Sequence, residues 1–108
     1  MAVAGKSLGI LGGTFDPIHM GHLRMAEHVF QRMELESIVF IPAYVPPHKL
    51  GQDFAPAQDR YTMTELAVAD NPHFTVSDME LKRTGVSYTI DTIRQLHKQY
   101  ADRELNFI

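Results

Sequence analysis

The chain of 108 residues is 44% hydrophobic and 21% charged, which is typical of one small folded domain and not of a disordered segment or of two domains. Its net charge of -3 is unfavourable for general binding to nucleic acid or to a membrane surface, so any anion site has to be local. Cysteine is absent, which excludes a disulfide scaffold and thiolate zinc sites. The apolar run near the N-terminus is too short for a signal peptide or a membrane span, and we expect a cytoplasmic protein.

The first part of the chain predicts a strand, a helix and a second strand. Residues 7–11 are a short apolar run ended by two glycines, which predicts a buried strand. Residues 37–41 predict another strand, which Pro42 stops. Between them, residues 21–33 carry apolar side chains at spacings of three to four, as on one face of a helix: Leu23, Ala26, Phe30 and Met33.

The second part continues the alternation after a long segment rich in proline. Residues 43–56 predict a surface loop of a length that often carries function. Residues 57–70 and 89–100 predict helices, 74–76 a short strand, and 105–108 the beginning of another strand. The apolar positions expected to face the core are Tyr61, Leu66, Ala67 and Ala69 in the first helix and Ile90, Ile93, Leu96 and Tyr100 in the second.

This alternation predicts a single α/β domain over residues 1–108, with a parallel sheet. The apolar run at residues 105–108 is of the kind that such a sheet places in its middle and follows with another crossover. We therefore expect a chain truncated at its C-terminal side, with an edge strand as the alternative.

The most specific stretch, residues 12–22, reads G-G-T-F-D-P-I-H-M-G-H and joins the first strand to the first helix. Its glycine pair permits unusual backbone angles and a close approach of a ligand. A helix start offers unpaired N–H groups and a positive dipole end, which suit phosphate. His19 and His22 are three residues apart, so they lie on one side of the first turn and can donate to a polyphosphate, with Gly21 removing a side chain between them.

Other interpretations of this stretch are an ordinary strand-to-helix turn and a pair of metal ligands. A third ligand at standard spacing is not evident, so we expect no protein metal site. Residues 5–7 imitate the end of a P-loop, but they precede the strand and lack the earlier glycine. The G-x-G-x-x-G dinucleotide fingerprint is not present either.

Residues 12–22, with their H-x-G-H core, resemble the signature of the HxGH nucleotidyltransferase superfamily. Two further stretches resemble nicotinate-nucleotide adenylyltransferase: V-P-P-H-K at residues 45–49, and G-V-S-Y-T-I-D-T at residues 85–92, the family's segment beside the nicotinate ring. The run at residues 80–83 fits as well. Relatives that make dephospho-CoA or CDP-glycerol share the first motif but, as a rule, not the other two.

The resemblance implies a Rossmann-like parallel sheet with flanking helices and transfer of the adenylyl group of ATP to nicotinate mononucleotide. Mg²⁺ would be carried with ATP, and no nucleic acid or membrane partner is expected. The implied catalytic residues are His19, His22 and Lys49. The implied nucleotide-binding residues are Gly12, Gly13, Thr14, Phe15 and Gly21, with the backbone lining the nucleotide. The implied substrate-binding residues are His48, Tyr88 and Thr89.

Five other polar residues are expected to lie outside the core of the site or at its edge. Arg60 is equally compatible with a solvated helix position and with a phosphate contact. Asp91 is compatible with a place in the first turn of a helix, where an acidic side chain is favourable. His28, His73 and His97 are expected at the surface.

The family's chains continue into a second half with a Ser/Thr-rich motif ending in arginine, which this sequence lacks. A non-catalytic nucleotide-binding fragment, another HxGH enzyme and a structural α/β domain therefore stay open as alternatives.

Overall fold

A computed structural model describes residues 7–44, 55–83 and 89–108. Its elements alternate between strands and helices, which confirms the predicted α/β class. In chain order they are β1 (Ser7–Gly13), α1 (Met20–Arg32), β2 (Ser37–Pro42), α2 (Ala57–Val68), β3 (Phe74–Val76), α3 (Thr89–Gln99) and β4 (Glu104–Phe107).

The strands form one parallel sheet in the order β3-β2-β1-β4, flanked by helices in a Rossmann-like arrangement. The chain moves outward from β1 to β3 and then returns to place β4 on the other side of β1. The strand order therefore reverses between β1 and β4. In open α/β sheets, such a switch point forms a crevice at the carboxyl ends of the strands, where ligands bind.

Alternation along the central strands divides the core into two layers, because successive side chains of a strand point to opposite faces. Leu11 and Phe40 belong to the cluster under α1 and α2, whereas Ile10 and Ile41 belong to the cluster under α3. Gly9 lies on the first face, where an added Cβ would be 2.8 Å from Leu35 Cδ1. The sheet is thus covered on both faces, as a parallel sheet requires.

Two of the expected helix faces are correct at their centres and wrong at one end. Ala26 of α1 and Leu96 of α3 are completely buried. Met33 is 51% exposed because α1 has ended and residue 33 is its C-cap. Ile90, in the first turn of α3, is 55% exposed.

The expected apolar face of α2 is wrong. Leu66 is 72% exposed, and the buried positions are Arg60, Thr64 and Val68, which recur at every fourth residue. The buried Thr64 hydroxyl donates to the Arg60 carbonyl at 2.8 Å. Two of the three buried residues, Arg60 and Thr64, are polar, so the buried face of α2 shows no hydrophobic periodicity. The apolar spacing in the sequence therefore predicted the wrong face of the helix.

Both central strands extend farther than predicted. β1 continues through Gly12 and Gly13, which pair with Ile41 and Pro42 of β2. The Ala43 N–H donates to the Gly13 carbonyl at 2.9 Å and closes this end of the ladder. Proline is tolerated in β2 because β3 pairs only with earlier β2 residues, so the missing N–H of Pro42 leaves no gap in that ladder.

The prediction of β3 at residues 74–76 is confirmed, and the other predicted limits differ from the observed ones by at most two residues. α2 ends at Val68, where the Asn71 N–H bonds to its carbonyl at 3.0 Å. Within the described parts of the chain, no helix combines the length and apolar character that crossing a membrane requires.

Candidate functional site

The turn between β1 and α1 lies at the carboxyl end of the central strand, beside the switch point. Phe15 occupies this turn with φ of 52°, in the left-handed region, and its side chain is only 3% exposed. Its ring contacts Phe40 in the core and meets the His22 ring edge-on, with centroids 5.1 Å apart. The Phe15 ring therefore anchors the turn, and only the backbone of this residue is placed to line a ligand.

The two motif histidines build the start of α1. His19 is the N-cap, one residue before the helix, and not a member of the first turn as predicted. The Gly21 N–H donates to His19 Nδ1 at 3.0 Å, and the His19 N–H donates to His22 Nδ1 at 3.1 Å. The ring centroids lie 3.9 Å apart with a tilt of 34°. The spacing in the sequence correctly predicted that the two rings lie side by side.

These hydrogen bonds assign the tautomer of both rings. A neutral imidazole whose Nδ1 accepts carries its proton on Nε2. His19 and His22 therefore have Nε2–H groups available as a pair of donors. Burial lowers the pKa of His22 from its ordinary value, and the neighbouring His19 lowers it further. The site thus favours at least one neutral imidazole donor at neutral pH.

The glycines of the motif serve different purposes. Among the described residues, a Cβ on Gly12 would meet only the Ile41 carbonyl oxygen, at 3.8 Å, so that part of the chain leaves space beside the end of β1. A Cβ on Gly13 would lie 3.2 Å from the Phe15 ring. A Cβ on Gly21 would lie 2.8 Å from Cε1 of His19. Gly21 is therefore needed to seat the His19 ring, a reason that the sequence did not reveal.

Arg60 is neither a solvated residue nor presented to a phosphate, which corrects both sequence expectations. Its relative exposure is 0%, and its guanidinium donates to backbone carbonyls of three chain segments. These bonds run from Nε to Ala55 at 2.7 Å, from Nη1 to Thr14 at 2.9 Å and Ala43 at 2.6 Å, and from Nη2 to Tyr44 at 2.9 Å. The only available sequence signal was its place one turn after Pro56, where the segment predicted to be a loop meets a helix.

The sequence analysis did not predict a second network of buried polar side chains, which lies near the start of α3. The Thr92 hydroxyl donates to the Glu80 carboxylate, and Arg83 Nη2 donates to the Thr92 oxygen at 2.5 Å. Glu80 is 8% exposed and Thr92 5%. The network ties α3 to the segment after β3. The sequence placed Glu80 and Arg83 in a matched run but gave them no role.

Several predicted site residues lie outside the described parts of the chain: His48, Lys49 and Tyr88. Thr89 begins α3, and its side chain is also outside the description. Asp91 is exposed in the first turn of that helix. The predicted surface positions of His28, His73 and His97 are confirmed.

The described residues contain no group of three or more histidine, aspartate or glutamate side chains that could hold a metal ion. At the switch point the structure brings together two imidazole rings, the N-terminus of α1 and the glycine end of β1, groups whose chemistry suits an anion.

The chain is similar to known proteins in sequence and in fold. Residues 10–105 match the cytidylyltransferase-like family. A probable nicotinate-nucleotide adenylyltransferase of Geotalea daltonii is 54% identical over 101 residues, covering 94% of this chain and 47% of that protein. Its namesake from Desulfitobacterium hafniense (strain DSM 10664 / DCB-2) is 50% identical over 103 residues, covering 95% and 50%. The chain spans about half the length of the curated relatives it matches.

A solved structure shares the fold. Plasmodium falciparum nicotinic acid mononucleotide adenylyltransferase complexed with NaAD superimposes with a TM-score of 0.77 at 16% identity, over 94% of this chain and 50% of that one. At this identity the likeness concerns the fold alone. The sequence matches confirm the family resemblance drawn from the motifs. The chain therefore belongs to the cytidylyltransferase-like family of nucleotidyltransferases.

Proposed function

We propose that this protein transfers the adenylyl group of ATP to nicotinate mononucleotide, giving deamido-NAD and pyrophosphate in the cytoplasmic synthesis of NAD. The observation that carries the proposal is the pair of imidazoles at the start of α1, whose Nδ1 atoms are occupied and whose Nε2–H groups are available. The names of the relatives at about 50% identity support the choice of reaction within the family.

The site fits the demands of nucleotidyl transfer because this chemistry depends mainly on positioning and on stabilising charge. His19 and His22 would donate to triphosphate oxygens, while the open edge at Gly12 and the backbone of Gly13, Thr14 and Phe15 would lie along the nucleotide. This arrangement would stabilise the negative charge that develops on the departing phosphates.

The reaction needs no protein nucleophile. A phosphate oxygen of nicotinate mononucleotide attacks the α-phosphorus of ATP, and a new P–O bond forms. The bond from the α-phosphorus to the bridging oxygen of the β-phosphate breaks, and pyrophosphate leaves with the electron pair. The attacking phosphate is already an anion, so no proton has to be removed from it. Lys49 and His48 would add phosphate contacts, and Tyr88 and Thr89 would lie near the nicotinate, as the resemblance implies.

Mg²⁺ bound to the triphosphate would neutralise charge on the leaving pyrophosphate. The described donor set fits a metal that arrives with its ligand, since the histidine pair supplies N–H groups and not a ring of carboxylates.

The experiment is a pyrophosphate-release assay with ATP, Mg²⁺ and a series of acceptors. We expect release with nicotinate mononucleotide, less with nicotinamide mononucleotide, and none with the acceptors that lead to dephospho-CoA or, with CTP, to CDP-glycerol. Release with one of the last two would assign another HxGH reaction. ATP binding without release from any acceptor would support the nucleotide-binding alternative, and neither binding nor release would refute the proposal.

A further inference from the structure

The buried guanidinium of Arg60 connects the three chain segments that surround the histidine site. Thr14 belongs to the turn between β1 and α1, Ala43 and Tyr44 follow β2, and Ala55 leads into α2. Arginine suits this place because its planar fork offers five donors in a fixed arrangement, whereas lysine offers a compact point charge. The three segments are thus held in one relative geometry by a single side chain.

A second contact strengthens the connection between the turn and the approach to α2. The Ala55 N–H donates to Asp16 Oδ2 at 3.0 Å, so both the carbonyl and the amide of this residue are bonded. Burial lowers the pKa of Arg60, and the Asp16 carboxylate acts in the opposite direction. The arginine is therefore compensated by carbonyl dipoles and by a carboxylate at the site's own turn.

The bond to Thr14 has a consequence for the backbone. The C=O and N–H of one trans peptide point in opposite directions across a common plane. Because the Thr14 carbonyl is bonded to Arg60 inside the protein, the N–H of Phe15 is directed away from Arg60. Phe15 holds its left-handed φ of 52° at this same peptide, a conformation that needs support in a residue with a side chain.

We propose that Arg60 is a positioning residue for the phosphate site: it orients the Thr14–Phe15 peptide so that the Phe15 N–H serves as a backbone donor to the nucleotide's phosphates. The inference rests on the proposed function for the identity of the ligand. Arg60 itself does not touch the nucleotide. It acts through the peptide it bonds and through the spacing that it sets between the turn and the end of β2.

The test compares Arg60→Lys and Arg60→Met with Val68→Ala. Val68 lies on the same buried face of α2 and is 4% exposed, but its apolar side chain donates no hydrogen bond to the turn. Each variant is measured at a temperature well below its thermal midpoint, where it is fully folded. The readouts are the dissociation constant for ATP with Mg²⁺ and the NMR resonance of the Phe15 amide without ligand.

We expect both Arg60 variants to raise the ATP dissociation constant on the order of 10- to 100-fold, as misplaced binding groups do. The lysine variant should be the milder of the two, and both should move the Phe15 amide resonance. Val68→Ala should lower the thermal midpoint, leave the dissociation constant unchanged and move the Phe15 amide resonance less than either Arg60 variant does. If Arg60→Met does not fold, Arg60→Lys decides with the same readouts.

Two results would overturn the inference. Arg60 variants that behave like Val68→Ala would show that the residue only supports the fold. If Arg60→Lys equals wild type in both the ATP dissociation constant and the Phe15 resonance, the positive charge is sufficient and the planar guanidinium is not required. A wild-type chain that binds no ATP would refute the proposed function instead, and the Phe15 resonance would still decide whether Arg60 orients the peptide.

Discussion

Replacing Gly21 with alanine should damage ligand binding without damaging the fold. The added Cβ would lie 2.8 Å from Cε1 and 3.0 Å from Nδ1 of His19, closer than real Cβ contacts allow. The end of a side chain can move, so the His19 ring will turn aside. That movement breaks the hydrogen bond from the Gly21 N–H to His19 Nδ1 and displaces the Nε2–H from the phosphate position.

The expected effect on stability is small because two contributions oppose each other. Alanine in place of glycine favours a helix by at most about 1 kcal/mol, and loss of an N-cap bond costs about 1 kcal/mol. The free energy of unfolding should therefore change by less than about 1 kcal/mol. Loss of a hydrogen bond to a charged phosphate removes about 1.5–3 kcal/mol of binding energy, so the ATP dissociation constant should rise about 10- to 150-fold.

Calorimetric titration with ATP and Mg²⁺ and urea unfolding measure the two quantities. A double-mutant cycle with His19→Ala supplies the control, because without the ring the added methyl group has nothing to displace. Gly21→Ala should then have no further effect on ATP affinity. The steric reasoning is refuted if Gly21→Ala weakens ATP binding equally in the wild-type and His19→Ala backgrounds. It is also refuted if Gly21→Ala leaves ATP binding intact in the wild-type background.

Three other changes follow from the same geometry. Gly12→Ala should keep the urea midpoint, since among the described residues the added Cβ meets only the Ile41 carbonyl oxygen at 3.8 Å, but should weaken ATP binding measurably by calorimetry. Leu96→Ala should lower the free energy of unfolding by about 2–5 kcal/mol in urea, as a completely buried leucine does, and leave ATP affinity of the folded protein unchanged. The pKa of His22 is lowered in the folded state, so the unfolded chain binds the proton more readily, and stability should fall as pH drops below about 6.5. The urea midpoint of His22→Asn should fall less over that range, and an equal fall would contradict the assignment.

The sequence was sufficient for the order of strands and helices and for the histidine pair. Hydrophobic periodicity identified the buried centres of α1 and α3, because Ala26 and Leu96 sit where apolar spacing predicts. The proximity of the His19 and His22 rings followed from their spacing next to a strand-to-helix turn, whereas the N-cap position of His19 did not. These features depend on local sequence and on the general geometry of parallel sheets.

The features that the sequence did not predict depend on contacts between distant residues. Arg60 is separated by 46 positions from Thr14, and no local pattern marks a guanidinium that folds inward onto carbonyls. Arg60 also explains why the buried face of α2 was predicted wrongly, because an analysis of apolar spacing assigns arginine to the solvent-exposed face. The role of Gly21 depends on the rotamer of one ring, which hydrogen bonding at the N-cap decides.

ATP binding by His22→Ala, set against wild type and His28→Ala, tests the central claim most directly. His28 lies on the same helix and is exposed, so its replacement controls for loss of a histidine from α1. If the paired imidazoles hold the triphosphate, His22→Ala should raise the ATP dissociation constant about 10- to 150-fold, and His28→Ala should leave it unchanged. Equal ATP affinity in all three folded proteins would contradict a nucleotide site at the start of α1.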